Sequence, residues 1–272
     1  MWKKNLNNSP KCDTETWRFG VDINRNFPFK FGVCGAGSKT CSGSPVCDSQ
    51  VYRGQGPQSE VETKAIVDYA STLFPVSQRK GSIQTSESMY NTPFPETSEG
   101  VFLDIHSFGR YIGIPWGWKD ENTPNNAGLG ALGRKLASFN RYRLWAPEMP
   151  NRIYGFDGGS VDTMYGWLGA ASYFVELGTG FYEPCDTFPL VINEVFPAFL
   201  YAAKVSMLPY KTSRGPDVLC TTITSTDTEG GQYITAQIDA SDAARTYHDD
   251  DEASLFSTGG QSIKHIEVFV NW

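Results

Sequence analysis

Residues equipped for chemistry are few in this chain of 272 residues. His106 follows a short apolar run in GVFLDIHSFGR, residues 100–110. An imidazole at such a point can hold a metal ion or move a proton. Glu176 closes a second run, ASYFVEL, where a carboxylate is placed to take a proton from water. Asn24 and Arg25 stand side by side in GVDINRNF. A guanidinium grips a carboxylate at two points, and a neighbouring amide adds a donor. Tyr154 lies in YGFDGGS, a glycine-rich turn that presents a phenol, and Lys3 adds a cation near the N-terminus. Taken singly, each has a plain structural reading: a packed histidine, a solvated glutamate, a surface arginine, a turn tyrosine, a basic terminus. Their order along the chain is what argues for a site.

The elements that must position them can be read from the same pattern. Val101, Phe102, Leu103 and Ile105, interrupted only by Asp104, predict a buried central strand ending at His106. In open α/β sheets ligands bind beyond the carboxyl ends of strands, which is where this histidine falls. Ala171–Leu177 predicts a second buried strand, and Arg18–Asp22 a third that delivers Asn24 and Arg25. Ser59-x-x-Glu62 predicts a capping box opening a helix that buries Val61, Ala65, Ile66, Tyr69, Ala70 and Leu73. Further helices are expected at 127–140, from Ser160 through Trp167, and over Pro189–Met207 with a kink at Pro197. After Ser213–Pro216 the texture changes. Cys220–Asp239 and Ile263–Val270 alternate β-branched and polar residues, as strands of a partial β-sandwich do. The acidic run His248–Glu252 reads as a solvated loop rather than a metal site, and His265 as a strand side chain.

A net charge of -7 argues against nucleic acid or an anionic membrane surface as partner. No apolar run approaches a membrane span, and MWKKNLNNSP has no signal-peptide core. The six cysteines, Cys12, Cys34, Cys41, Cys47, Cys185 and Cys220, lack paired C-x-x-C spacing. Disulfides in an extracytoplasmic protein fit them better than free thiols, and a missing leader is compatible with secretion only in a piece of a longer protein.

Over roughly Met1–Tyr210 the motifs, in order, resemble the zinc metallocarboxypeptidases of the carboxypeptidase A/B type. GVDINRNF resembles the family's carboxylate-binding motif, which gives Asn24 and Arg25 the grip on a substrate's C-terminus. SPVCDSQVYRGQGPQSEVET resembles its cysteine loop and the run that enters a helix. LDIHSFG resembles the segment holding its third zinc ligand, His106. IYGFDGGSVD resembles the segment of its mobile capping tyrosine, Tyr154, and FVELG the strand ending in its catalytic base, Glu176. The chain departs from the family in three places. The first two zinc ligands belong to a His-x-x-Glu motif upstream of a Met-Trp-Arg-Lys-like stretch, and this chain begins at that stretch. Lys3 stands where the family has an arginine that polarises the scissile carbonyl, keeping the charge without the planar fork. Phe108 replaces the usual tyrosine after His-Ser.

The resemblance implies an α/β fold, a mixed, mostly parallel sheet with helices on both faces, over residues 1–212, with a partial β-sandwich over 213–272. It implies a Zn2+ that activates water and stabilises the oxyanion together with Lys3, and a substrate that is a peptide or protein C-terminus. The base of the side-chain pocket maps to Val161, helped by Met149 and Phe156, implying apolar or aromatic C-terminal residues. It also implies Cys12–Cys47 and Cys34–Cys41 disulfides, leaving Cys185 with Cys220, and a secreted protein. With two ligands missing, the chain as given is expected to be inactive and to release zinc. The alternative is a non-catalytic binder of peptide C-termini.

Overall fold

The computed structural model describes residues 3–7, 19–33, 42–74, 90–147, 155–212, 217–228 and 231–241. Its centre is a four-stranded sheet made of β1 (Val101–Ser107), β2 (Tyr111–Gly113), β3 (Arg143–Trp145) and β4 (Ala171–Leu177), in the order β1-β4-β2-β3. β1 pairs with β4 and β2 with β3 in parallel, while β2 and β4 run antiparallel, so the sheet is mixed and mostly parallel as expected. The two three-residue strands were not legible as strands, being too short to show a period.

β1 corrects the sequence reading in one respect. Among the described residues it pairs on one side only and is half-buried, so β4 and β2 are the interior strands and β1 lies at an edge. Its alternation still sorts the two faces. Phe102 packs on α1 (Val61–Leu73) and α3 (Ser160–Leu168) in a cluster with Phe27, Val67, Met164 and Leu168. Val101 and Leu103 pack against the main core, which draws on α2 (Asn126–Asn140) and α4 (Phe188–Val205). Helices thus cover both faces. α4 is long and apolar enough by composition to cross a membrane, closer to a span than the sequence reading allowed. Its Val191, Val195, Ala198, Tyr201, Ala202 and Val205 are nonetheless buried inside the protein. α5 (Pro209–Thr212) then sets Tyr210 under the core, 1% exposed.

Three local expectations fail. The capping box does not form: Glu60 is the N-cap of α1, and the Ser59 hydroxyl donates to the Glu60 carboxylate while accepting from Asn26. α1 instead buries Thr63, Val67 and Ala70 and turns Val61, Ile66, Tyr69 and Leu73 outward. Residues 19–22 are no strand, because Gly20 has φ +91 and Asp22 caps a 3-10 turn over Ile23–Arg25. Of the trailing region, β5 (Asp217–Thr228) and β6 (Gly231–Ser241) form an antiparallel hairpin. The strand expected at 263–270 lies outside the described residues.

Candidate active site

Two adjacent cross-strand rows at the carboxyl end of β4 build the site. In the upper row, His106 of β1 is registered with Glu176 of β4, Glu176 with Tyr111 of β2, and Tyr111 with Arg143 of β3. One step down the same face, Asp104 is registered with Phe174, Phe174 with Gly113, and Gly113 with Trp145. Registered residues share a face, so His106 and Glu176 stand together on the upper row and the lower row lies beneath it.

The 3-10 turn brings Asn24 and Arg25 over this face. His106, Glu176 and Tyr111 of the upper row and Asp104, Phe174 and Trp145 of the lower line one cavity of about 1200 Å³ with them, together with Lys3, Phe156, Ser160 and Val161. Arg25 is 5% exposed. Its Nε donates to Ser42 O at 3.2 Å and Ser42 Oγ at 3.0 Å, its Nη1 to the carbonyl of Asn24 at 2.7 Å, and its guanidinium lies 5.2 Å from the Phe156 ring centre. These contacts fix the head group and leave Nη2 without a hydrogen bond among the described residues. A half-satisfied, immobilised guanidinium facing a cavity is equipped to take an anion.

Asp104, which the sequence showed only as a break in an apolar run, is the hub. Its Oδ2 accepts from Ser160 Oγ in a short hydrogen bond, from Asn24 Nδ2 at 3.0 Å, and from His106 Nε2 at 2.9 Å. Burial pushes the Asp104 carboxyl up, but the hydrogen bond and charge of His106, with Ser160 and Asn24, outweigh it and hold the carboxyl below its ordinary value. On His106, burial works downward, and the hydrogen bond and charge of Asp104, helped by Glu176, raise the imidazole above its usual range. Glu176 is the contrast. Among the described residues no hydrogen bond reaches its carboxylate, and burial raises it, with His106 and Lys3 opposing the rise and Asp104 adding to it. A carboxylate raised towards neutrality beside a cation is what general-base work calls for.

Other expected residues fall as follows. Val161 (1% exposed) and Phe156 line the cavity. Lys3 also lines it, in an ion pair with Asp22 at 2.8 Å. Asn24 is spent internally, since its Oδ1 accepts from the backbone of Ser160 while Nδ2 serves Asp104. Tyr154 and Met149 lie outside the described residues. Cys47 is disulfide-bonded, and Cys12, Cys34 and Cys41 lie outside the described residues. Cys185 is an exposed free thiol, so the expected link to Cys220 does not form.

The implied zinc fails a test on the donors. Among the described residues no three His, Cys, Asp or Glu side chains converge as a metal site, and the Nε2 of His106 is engaged by Asp104. A catalytic zinc needs three protein ligands. The described residues therefore do not fit the ion by themselves.

The zinc carboxypeptidase family model matches residues 1–198. Carboxypeptidase A1 of Rattus norvegicus is 30% identical over 150 residues, covering 54% of this chain and 29% of the relative. A zinc carboxypeptidase of Simulium vittatum is 27% identical over 202 residues, 72% of this chain and 55% of its own length. The chain thus spans only part of the curated relatives it matches. Among solved structures, bovine thrombin-activatable fibrinolysis inhibitor in complex with tick carboxypeptidase inhibitor superposes with a TM-score of 0.56 at 21% identity, over 75% of this chain and 61% of that one. Carboxypeptidase A from Helicoverpa armigera gives 0.51 at 20% identity, over 70% and 43%. The solved structures bear on the fold alone.

Proposed function

The chain belongs to the zinc carboxypeptidase family, and on that premise we propose that its cavity receives the free C-terminus of a peptide or protein whose last peptide bond is hydrolysed. The observation that carries this reading is Arg25, a buried guanidinium with one edge unspent, lining the same cavity as Glu176 and His106. The substrate carboxylate pairs with Nη2 of Arg25, which restricts the site to chain ends. Asn24 adds a donor only by releasing Asp104, and Tyr154 closes over the carboxylate. Glu176 takes a proton from water as its oxygen attacks the last peptide carbonyl. It passes that proton to the leaving amine as the C–N bond breaks. Lys3 supplies positive charge for the oxyanion once it turns from Asp22. Val161, Phe156 and Met149 receive a hydrophobic or aromatic terminal side chain, since burying a cation there without a partner is costly. The disulfide at Cys47 supports an extracellular setting.

His106 is the metal ligand of the family motif, but one imidazole does not retain zinc, so we read the chain as given as inactive and dependent on ligands it does not carry. The lack of converging donors among the described residues favours a second reading, a non-catalytic binder of peptide C-termini that uses Arg25 alone. One calorimetric experiment tests the shared part. Peptide acids should bind the chain and their C-terminal amides should not, and Arg25→Ala should weaken the acids by about a hundredfold, the scale of a lost buried charge pair. Equal binding of acids and amides would overturn both readings. Elemental analysis after dialysis separates them: one tightly held zinc, with peptidase activity, would establish the enzyme and overturn our reading of the fragment.

A further inference from the structure

Resting on that reading of Arg25, we propose that Asp157 regulates the carboxylate grip through its charge: ionised, it weakens the hold of Arg25 on a substrate's C-terminus, and protonated, it restores that hold. Asp157 is fully buried, 0% exposed, and does not line the cavity, so it acts from behind the wall and not on the substrate directly. Its neighbours are the contacts of Arg25. Phe156, one residue before it, carries the ring 5.2 Å from the guanidinium. Gly158, one residue after it, has φ +62 and comes so close that a Cβ there would stand 2.3 Å from the carbonyl oxygen of Arg25. On the opposite side is Gly43, where a Cβ would fall 1.8 Å from Oδ1 of Asp157. Ser42, beside that glycine, is the residue that accepts from Nε of Arg25. Glycine at position 43 thus makes room for a carboxylate next to the support of the guanidinium.

That carboxylate is poorly satisfied. Its Oδ2 lies 3.8 Å from Nη1 of Arg53, too long for a hydrogen bond, and among the described residues no other residue donates to either oxygen. The charged groups that act on it are Arg53, which follows Tyr52, and Arg25 of the 3-10 turn, while the segment 42–44 opposite brings none. Burial raises the carboxyl above its ordinary value, with Arg53 and then Arg25 opposing the rise. Asp157 therefore takes up its proton at a higher pH than a substrate's own C-terminal carboxylate, which titrates near about 3.5. In that interval Arg25 meets a charged substrate with no competing anion behind it. A unit charge several ångströms away through protein changes the affinity for an anion by about tenfold or more. Because the bound acid favours the protonated form of Asp157, binding takes up protons. A purely structural pairing with Arg53 would give no such coupling.

Isothermal titration of the full chain with one N-acetylated peptide, as free acid and as C-terminal amide, tests this between pH 7.5 and pH 4.5. Buffers of differing ionisation enthalpy read the proton uptake directly. Asp157→Asn should bind the acid about tenfold more tightly than the unsubstituted protein at pH 7.5, with the gap narrowing as pH falls. Proton uptake should drop by the part that Asp157 supplies. His106, Asp104 and Glu176 titrate in both proteins and cancel in the comparison. Should the asparagine variant not fold, Arg53→Gln carries the test. It removes the cation paired with Asp157, so the carboxyl rises further and the gain in affinity on acidification should begin at higher pH. An asparagine variant that binds the acid no more tightly at pH 7.5, or takes up as many protons as its parent, would overturn the proposal. An Arg53→Gln profile that does not move would do the same. Acids bound no better than amides at every pH would instead overturn the carboxylate-binding reading on which it rests.

Discussion

The two rows of the sheet differ in how far the protein has satisfied them. On the lower row Asp104 accepts three hydrogen bonds, Phe174 and Trp145 pack ring to ring, and Gly113 is the space the ring needs. On the upper row Glu176 accepts no side-chain hydrogen bond among the described residues, and its carboxyl is raised rather than lowered. One residue pair states the difference. Asp104 and Glu176 are acids on neighbouring strands, and their environments move them in opposite directions. A group serving the fold is stabilised in its charged form, while a buried carboxylate without partners is held at some cost in stability. Substitutions in the lower row should therefore damage the fold, whereas replacing Glu176 should cost it little.

The largest effect should come from Asp104→Ala. It strands the Asn24 amide and the Ser160 hydroxyl and removes the counter-ion of His106, a loss of roughly 3 kcal/mol at pH 6. Because the folded carboxyl lies below its ordinary value, its contribution is complete above the unfolded value, about 3.9, and is lost as pH falls through the lower folded value. Urea midpoints of the two proteins should accordingly converge in strong acid. A constant gap from pH 6 to pH 2.5 would show that the loss is packing and not charge.

Next is Gly113→Ala. The added methyl overlaps the Phe174 ring, which is wedged between Trp145 and Phe156 and has little room to withdraw. Overpacking of this kind costs about 1–3 kcal/mol, and thermal unfolding reads it. In the Phe174→Ala background the same methyl should become nearly neutral, because the space it needs has been vacated. A double-mutant cycle with no coupling would break this account of how Phe174 packs on Gly113.

The strand-ends were legible in the sequence because short, largely apolar runs of strand length leave little choice: Ala171–Leu177 is β4 as expected, and His106 and Glu176 prove to be registered partners. The Asn24–Arg25 pair was legible as a site but not as a geometry. Nothing in GVDINRNF indicates that the asparagine faces inward to Asp104 while the arginine faces the cavity. Asp104 itself could have been found, since a charged residue two positions before a site histidine shares its face in any strand. The face of α1 was misread for a different reason. Val61, Ile66, Tyr69 and Leu73 have helical spacing and still lie outward, since periodicity reports an apolar stripe and not what covers it. Phe174 could not have been found at all from local pattern. Its meaning depends on Gly113, sixty-one positions earlier in sequence and adjacent only through the antiparallel pairing of β2 with β4.

The smallest expected effect gives the sharpest contrast between the rows. Glu176→Gln keeps the shape of the upper row and removes its charge. The folded carboxyl is raised by burial, so the folded state holds its proton to higher pH than the unfolded chain does. The unsubstituted protein therefore loses stability as pH rises from about 4.3, the unfolded value, through the raised folded value, and above that the full cost of the buried charge is present. Glutamine escapes that cost. At pH 7 the variant should be slightly more stable than its parent, by under about 1 kcal/mol because the side chain is half-buried and solvent screens it. The advantage should vanish below pH 4, where both side chains are neutral. Peptide acids should bind it as before, since Arg25 is untouched. A variant that is instead less stable at pH 7 would mean that Glu176 is held by the fold as Asp104 is, and the division between the rows would fail at the residue on which the proposed chemistry depends.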